Sequence, residues 1–423
     1  MIINYSKFNN HWETKTLNDL GTFRRGKSKH RPRNDSALFE NGEYPLIQTG
    51  EIKDANLYIN SHKGSYNEFG LKQSKLWNKG TLCITIAANI AETAILNYPM
   101  CFPDSVVGFN AFKDKSSEIF IHYVITYIRK AIQNAASGSI QDNINIDYLT
   151  SLKFKIPTKQ IQDKIAAILS ALDDKIELNN QINTELEAMA KTLYDYWFVQ
   201  FDFPDENGKP YQSSGGKMVF NGTLKREIPV GWEVKKLSAF AKTGSGGTPK
   251  STVKEYYENG QIPWINSGEL NQPFIVKTEN FISEIGLKNS SAKLFPKQTI
   301  LMAMYGATAG KTSIISFEAT TNQAICAVMP LDKIMFYYTK HVLDDMYKYL
   351  INLSTGSARD NLSQDKIRNL DIVIPSEELS RKFCKIVTPF FRKIEINLQE
   401  NQELAQLRDW LLPMLMNGQV SVK

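Results

Sequence analysis

The residues best suited to binding chemistry form a basic run from Arg24 to Arg33. Its six lysines and arginines are Arg24, Arg25, Lys27, Lys29, Arg31 and Arg33. Gly26 and Pro32 interrupt the run, so the sequence predicts an exposed loop that can come close to a phosphate backbone. Such a loop either displaces condensed counterions from DNA or is a solvated surface loop.

A glycine-rich segment in the second half of the chain corresponds to this run. It contains Lys242, Thr248 and Lys250, around the sequence Gly244-Ser245-Gly246-Gly247. The segment has fewer cations than the first run but more glycine. Two corresponding loops with different side chains suit the recognition of two different DNA sequences, so we expect these three residues to contact DNA.

A third loop, Gly306 to Thr312, is one residue shorter than the phosphate-binding motif G-x-x-x-x-G-K-[ST]. That motif needs a following helix, whereas Ser313 to Ser316 favours a strand. We expect a turn between strands that faces DNA through Thr308 and Lys311. The alternative is an ATP site.

The motif Gly-Ser-x-x-Asp-Asn occurs at Gly138–Asn143 and again at Gly356–Asn361. Its variable positions place Gln141 and Arg359 among the expected DNA contacts. The Asp and Asn residues are interpreted as turn residues that cap the following helix.

No group of residues predicts a catalytic or metal centre. The five histidines form no H-E-x-x-H or similar cluster, and there is no G-x-S-x-G motif. The motifs N-P-P-Y and D-P-P-Y, which hold a flipped adenine in amino-methyltransferases, are also missing. The sequence therefore predicts no catalytic residue and no bound metal.

Composition predicts a globular protein of more than one domain. The chain has 423 residues, 42% hydrophobic and 22% charged, which is typical of folded domains. A formal net charge of +6 agrees with a polyanionic partner. Four scattered cysteines, an N-terminus unlike a signal peptide and no apolar run long enough for a bilayer predict a cytoplasmic protein without a membrane segment.

The chain repeats itself at an offset of 218 residues. Lys175–Leu186 aligns with Lys393–Leu404, and eight of the twelve pairs are identical. The same offset joins Ile156-Pro157 to Ile374-Pro375. We therefore expect two copies of one unit, each with a globular part of short strands, turns and few helices followed by a long helix. A short helix capped by Ser363, with Asn145 as the equivalent cap, is expected late in each globular part.

Apolar residues at three- and four-residue steps predict the long helices, the first from about Lys159 to Phe198. Each of these residues has an apolar counterpart 218 positions later, and both helices are expected to bury this stripe in an antiparallel coiled coil. Pro389 is expected to kink the second helix near Lys385. The first set comprises Ile161, Ile165, Ile168, Leu169, Leu172, Ile176, Leu186, Met189 and Leu193. Mid-helix asparagines, Asn179, Asn183, Asn397 and Asn401, either fix the register or face solvent.

The large side chains at the helix ends exceed what a coiled coil needs. They are Tyr194, Trp197, Phe198, Trp410 and Leu411. They either contact partner subunits or pack against the neighbouring globular part.

The order of these features resembles one family, the specificity subunits of type I restriction–modification enzymes. The residues that carry the resemblance are Ile228–Val234 (IPVGWEV), Gly306–Lys311, the two Gly-Ser-x-x-Asp-Asn turns, the Ile-Pro pairs before the helices and Leu172–Ile176. A departure occurs at Lys159-Gln160-Ile161 and Leu379-Ser380-Arg381, where the family commonly has Glu-Gln.

The resemblance implies an α+β fold with two homologous target-recognition domains, separated by two long antiparallel coiled-coil helices and related by a pseudo-twofold axis. The predicted boundaries are 1–157 for the first recognition domain, 158–200 for the first spacer helix, 201–228 for a connector, 229–375 for the second recognition domain, and 376–423 for the second spacer helix and tail.

The function implied is recognition of a bipartite asymmetric site in double-stranded DNA, with the helices setting the spacer and docking two modification (methyltransferase) subunits. Restriction/translocase subunits then join. This chain is expected to bind no cofactor, since S-adenosylmethionine belongs to the modification subunit and ATP with Mg²⁺ to the restriction subunit. The alternative is a stand-alone DNA-binding or scaffolding protein without an enzyme partner.

Overall fold

A computed structural model of the chain describes residues 4–137, 144, 146–346 and 362–422. The chain divides into a first unit, Met1–Leu178 with Asn401–Lys423, and a second unit, Asn179–Glu400. Each unit therefore contains one globular part and segments of both long helices. This arrangement agrees with the duplication predicted from the sequence.

The first unit is built on a five-stranded sheet of order β2-β10-β7-β8-β4, a four-stranded sheet of order β5-β3-β9-β6 and the pair β1-β11. Strands β7 and β8 are buried throughout because both lie inside the larger sheet. The strands are β1 Glu13–Thr16, β2 Gly21–Arg25, β3 Tyr44–Leu46, β4 Tyr58–Ile59, β5 Gly64–Tyr66, β6 Leu76–Trp77, β7 Leu82–Thr85, β8 Thr93–Leu96, β9 Met100–Cys101, β10 Val106–Ala111 and β11 Lys153–Ile156.

The second unit repeats this plan with a five-stranded sheet of order β15-β22-β19-β20-β17. The smaller sheets are β18-β16-β21, β14-β23 and β12-β13. The strands are β12 Met218–Asn221, β13 Arg226–Pro229, β14 Glu233–Lys236, β15 Ala241–Ser245, β16 Ile262–Ile265, β17 Phe274–Ile275, β18 Phe281–Ile282, β19 Ile300–Ala303, β20 Thr312–Ile315, β21 Thr320–Thr321, β22 Ile325–Pro330 and β23 Asp371–Ile374.

Each globular part contains a buried helix that the sequence did not predict. In the first unit, Glu118–Ser137 packs Phe120, Tyr123 and Ile128 into the core that includes the apolar side of the large sheet. In the second unit, Phe336–Asp345 takes the corresponding position. Shorter α-helices span Leu17–Leu20, Thr49–Asp54, Glu68–Gln73, Ile146–Ser151, Glu284–Lys288 and Gln364–Arg368.

The predicted helix cap at Ser363 is confirmed, because its hydroxyl accepts a hydrogen bond from the backbone N–H of Lys366 at 3.2 Å. The equivalent Asn145 lies outside the described residues, as do both Gly-Ser-x-x-Asp-Asn turns. The helix Ile146–Ser151 follows in the first unit.

The two long helices span Lys159–Tyr194 and Glu377–Met416, and a π-helical turn, Asp195–Val199, extends the first. Within the second unit they run antiparallel: Asn179 Nδ2 donates to Glu400 Oε2 at 2.9 Å, and Asn397 Nδ2 donates to Asn183 Oδ1 at 2.8 Å. Asn183 and Asn397 are buried. Their pairing favours the register role over the solvent-facing alternative.

The connector, 201–228, is exposed over most of its length, as expected, but it is anchored at both ends. Phe201 and Ile228 are buried in the core of the second unit, and Phe203 stacks on Trp232 with ring centroids 5.2 Å apart. The hairpin of β12 and β13 completes the segment. Burial of these apolar side chains fixes the ends of the connector.

Candidate nucleic-acid interface

The basic run begins on an edge strand rather than in a loop. Arg24 and Arg25 end β2, where they pair with Gly108 and Val107 of β10. The chain then turns at Gly26, where a Cβ atom would lie 2.3 Å from the carbonyl oxygen of Pro103. Only glycine fits this close approach, and the residues that follow form the predicted loop. All six cations of the run are exposed.

Two of the six cations are engaged by other groups of the protein. Arg31 Nη1 donates to the carbonyl of Ser28 at 2.6 Å, and Arg33 Nη2 donates to Asp104 Oδ1 at 2.8 Å. These contacts shape the loop but are exposed, so each contributes at most about 1 kcal/mol.

The side chains of the other four cations, Arg24, Arg25, Lys27 and Lys29, make no hydrogen bond or ion pair with any residue that the structure describes. Their charges are therefore available to a polyanion.

A cation that sequence analysis missed lies beside Arg24. Lys75 Nζ lies 3.8 Å from the ring centroid of Trp77, and both residues line a cleft of about 250 Å³ together with Arg24. Burial, followed by the charges of Arg24 and Lys27, lowers the pKa of Lys75. Nothing in the local sequence marks Lys75, because the strands β2 and β6 that bring it to Arg24 are far apart along the chain.

The second unit presents a weaker counterpart. Lys242 lies on β15, the strand equivalent to β2, and Lys242, Thr248 and Lys250 are all exposed. The Thr248 hydroxyl donates to Gln323 Oε1, and the indole N–H of Trp264 donates to the Gly247 carbonyl at 3.0 Å. These bonds fix the loop, which carries two lysines where the first unit has six cations.

The segment Gly306–Thr312 is a turn between β19 and β20, as predicted. The Thr308 hydroxyl donates to the carbonyl of Ser267 at 3.0 Å, whereas Lys311 is exposed. The chain continues directly into β20 at Thr312. A phosphate-binding loop needs a helix N-terminus at that point, so this geometry does not form an ATP site.

Two predicted contacts, Gln141 and Arg359, lie outside the described residues.

The aromatic residues at the end of the first long helix are not a partner surface in this structure. Tyr194, Trp197 and Phe198 are buried, and Phe198 lies edge-on to Phe383 with ring centroids 5.0 Å apart. The packing alternative accounts for these three residues.

The second long helix ends differently. Trp410 is 62% exposed and remains a candidate contact. Leu411 is half-buried against the core of the first unit.

The predicted buried stripe is incomplete in both helices, since some of its residues are exposed over 37% to 53% of their surface. In the first unit the exposed apolar residues of the helices include Ile168, Leu178 and Leu407. In the second unit they include Ile386, Ile396 and Met189, which occupy the same positions of the repeat. Each unit thus carries an equivalent triplet of exposed apolar residues, which we call the apolar triplet.

The buried histidines do not form an acid–base centre. Burial lowers the pKa of His122 to about 3 and that of His341 to about 4. Both are therefore neutral near pH 7. Among the described residues, no group of three or more His, Cys, Asp and Glu side chains could hold a metal ion. No helix in the described part of the chain has the length and apolar character needed to cross a membrane.

Comparison with known proteins shows which protein family this chain matches. The type I restriction modification DNA specificity domain matches residues 9–188 and 229–406, one match for each copy of the repeat. The type I restriction enzyme MjaIX specificity subunit of Methanocaldococcus jannaschii is 27% identical, with 97% of this chain and 94% of the relative aligned. The HindI specificity subunit of Haemophilus influenzae is 28% identical, with 92% and 97% aligned.

Among solved structures, the type I restriction-modification S subunit from M. genitalium has a TM-score of 0.59 at 18% identity and covers 98% of this chain and 99% of its own. That likeness shows a shared fold. Because the specificity domain matches both repeats and most of the chain, this protein belongs to the type I restriction modification DNA specificity family.

Proposed function

We propose that this chain is the DNA sequence-recognition subunit of a type I restriction–modification complex. The observation that carries the proposal is the double match of the DNA specificity domain, once on each repeat. As a specificity subunit, the chain is non-catalytic. Four exposed cations supply the sequence-independent part of DNA binding. Arg24 and Arg25 end the edge strand β2, and Lys27 and Lys29 lie in the loop that follows it.

Each globular part recognises one half of a bipartite DNA site in this proposal. The two parts share the order of the five-stranded sheet but differ in the side chains at its edge: Arg24 and Arg25 in the first unit, Gly244 and Ser245 in the second. Different side chains at equivalent positions present different hydrogen-bond donors to the base edges, so the half-sites differ in sequence.

The long helices set the spacer between the half-sites. The Asn183–Asn397 hydrogen bond supports this role, since a buried polar pair disfavours every other register of two packed helices. A shift by one helical turn would bury both amides against apolar side chains without their partner.

The complex contains DNA together with modification and restriction subunits. We propose two modification subunits for each copy of this chain, because the exposed apolar triplet occurs once in each unit. S-adenosylmethionine then belongs to the modification subunits, ATP and Mg²⁺ to the restriction subunits, and this chain binds no cofactor. We propose a cytoplasmic location, which suits DNA as the ligand and four unpaired cysteines.

A methylome tests the proposal. The chain is co-expressed with the type I modification subunit of its host, and the DNA is sequenced by a method that detects N6-methyladenine. We expect one bipartite motif that disappears when this chain is omitted. A stable co-purified complex that adds no methylation would instead favour a stand-alone DNA-binding protein.

A further inference from the structure

A cleft in the first unit collects positive charge beside the edge strand. It has a volume of about 250 Å³ and is lined by residues that include Arg24 of β2, Lys75 and Trp77 at β6, and Asn110 of β10. None of its lining residues is acidic. The cleft is smaller than most pockets for drug-sized ligands, and its size suits a single small anionic group.

Trp77 contacts the Lys75 ammonium and is too buried for a ligand ring to stack on its indole. One face of the indole stacks on Phe102, with ring centroids 4.6 Å apart and an 18° angle between the planes. The Lys75 ammonium lies 3.8 Å from the ring centroid. The packing depends on Gly108, where a Cβ atom would lie 2.6 Å from the Trp77 ring. Trp77 is only 3% exposed, so no DNA base can stack on it.

The cations of the cleft lack a counter-charge. The side chains of Arg24 and Lys75 form no ion pair within the described parts of the chain. Asn110 Oδ1 accepts a hydrogen bond from the Thr81 hydroxyl at 3.1 Å, which leaves its amide N–H groups as donors. Like charges held together by packing repel one another, and an anion that enters between them removes this repulsion.

We propose that this cleft binds one phosphate group of the DNA backbone, held by Arg24 and Lys75 with Asn110 as a third donor. The proposal rests on the proposed DNA-recognition function and assigns to it a contact that sets the position of the first unit on DNA. Arg24 presents a planar fork to two phosphate oxygens, and the Lys75 ammonium supplies a point charge.

The described residues of the second unit do not repeat this arrangement. In the sheet register, Arg24 opposite Gly108 corresponds to Gly244 opposite Ala327, and Asn110 corresponds to Met329. Phe295 occupies the space above Gly244, where a Cβ atom would lie 2.7 Å from its ring. The phosphate clamp therefore acts on one half-site only.

The test uses Lys75→Gln in the full chain, co-purified with its modification subunit. The matched control is Lys293→Gln, because Lys293 likewise stands two residues before the aromatic Phe295 but has no Arg24 counterpart. The probe is a duplex that carries the methylated motif, in which each backbone phosphate is replaced in turn by a neutral methylphosphonate. Binding is measured by fluorescence anisotropy over a range of salt concentrations.

We expect one phosphate next to the first half-site whose neutralisation weakens wild-type binding about tenfold. Lys75→Gln should weaken binding by a similar factor, lower the salt slope by about 0.9 and abolish sensitivity at that phosphate. Lys293→Gln should keep the sensitivity. If Lys75→Gln fails to fold, Arg24→Gln at its exposed strand position should give the same result.

A Lys75→Gln protein with the wild-type methylphosphonate profile would overturn the proposal. Stabilisation of the free wild-type chain by inorganic phosphate, lost in Lys75→Gln but without a sensitive phosphate in the duplex, would assign the cleft to a free phosphate and also overturn it. A folded complex that binds no DNA at all would remove the proposed function itself, and this inference with it.

Discussion

A buried ion pair joins the two long helices within the first unit, and its removal has a predictable effect on stability. Arg408 Nη1 donates to Asp173 Oδ1 at 2.6 Å and to Asn56 Oδ1 at 3.0 Å. The Tyr123 hydroxyl donates to the other oxygen of Asp173 at 2.5 Å. The Asp173 side chain is 1% exposed, whereas that of Arg408 is 22% exposed. The buried carboxylate is therefore stabilised by these two donors.

Arg408→Met should leave the Asp173 carboxylate buried, with Tyr123 as the only one of these two donors. Loss of one member of a buried pair costs 3–5 kcal/mol, and the partial exposure of Arg408 places the expected loss near the lower end, about 3 kcal/mol. The double variant Asp173→Asn with Arg408→Met should recover most of it, because a neutral amide still accepts the Tyr123 hydrogen bond. The second unit has no charge at the equivalent positions: Ala190 corresponds to Arg408, and Phe391 corresponds to Asp173.

Hydrogen exchange read by mass spectrometry is the suitable assay, because a chain of two units does not have one free energy of unfolding. We expect faster exchange in peptides from residues 401–416 of Arg408→Met and unchanged exchange in peptides from residues 300–330. Wild-type protection at residues 401–416, or equal destabilisation by the single and double variants, would refute the assignment of a structural ion pair.

The remaining predictions concern charge, acid stability and docking. Reversing the charges of Arg24, Arg25 and Lys27 should weaken binding to all DNA sequences and flatten its salt dependence in anisotropy titrations; unchanged affinity would show that the basic run lies off the DNA. Burial lowers the pKa of His341 to about 4, opposed by Asp344 and reinforced by Lys340. The neutral His341 side chain therefore contributes its full stabilisation above the unfolded pKa of 6.5, and this stabilisation is lost as the pH falls toward 4. Hydrogen exchange should show the opening free energy of the second unit falling by about 2 kcal/mol between pH 7 and pH 5. His341→Phe should abolish that loss, and an equal acid response in the variant would count against it. Serine at the first-unit triplet, Ile168, Leu178 and Leu407, should reduce the modification subunits per chain from two to one in native mass spectrometry, while retention of both would exclude this docking face.

Much of the architecture was predictable because it depends on pattern. The 218-residue offset predicted the two units, and the apolar period predicted helices that the structure places at Lys159–Tyr194 and Glu377–Met416. The sequence also predicted that Ser363 caps a short helix, and the structure shows this hydrogen bond. These features follow from interactions between residues close in sequence, or from comparison of the chain with itself.

Other features were not predictable because they depend on contacts between distant residues. In the helix Glu118–Ser137, residues 120–125 are all buried, and a short, mostly apolar run of this kind cannot be distinguished from a buried strand by its periodicity. The apolar period likewise could not separate Leu169, which is fully buried, from Ile168, which is exposed. The role of Lys75 could not be predicted, because only the folded sheets place it beside Arg24.

The most direct test of the account is a methylome of a chain in which residues 229–375 are replaced by a second copy of residues 9–157. If each globular part recognises its own half-site, the resulting complex should methylate a two-fold symmetric bipartite motif that repeats the first half-site. An intact complex that still methylates the original asymmetric motif, or one whose first half-site has changed, would contradict the account.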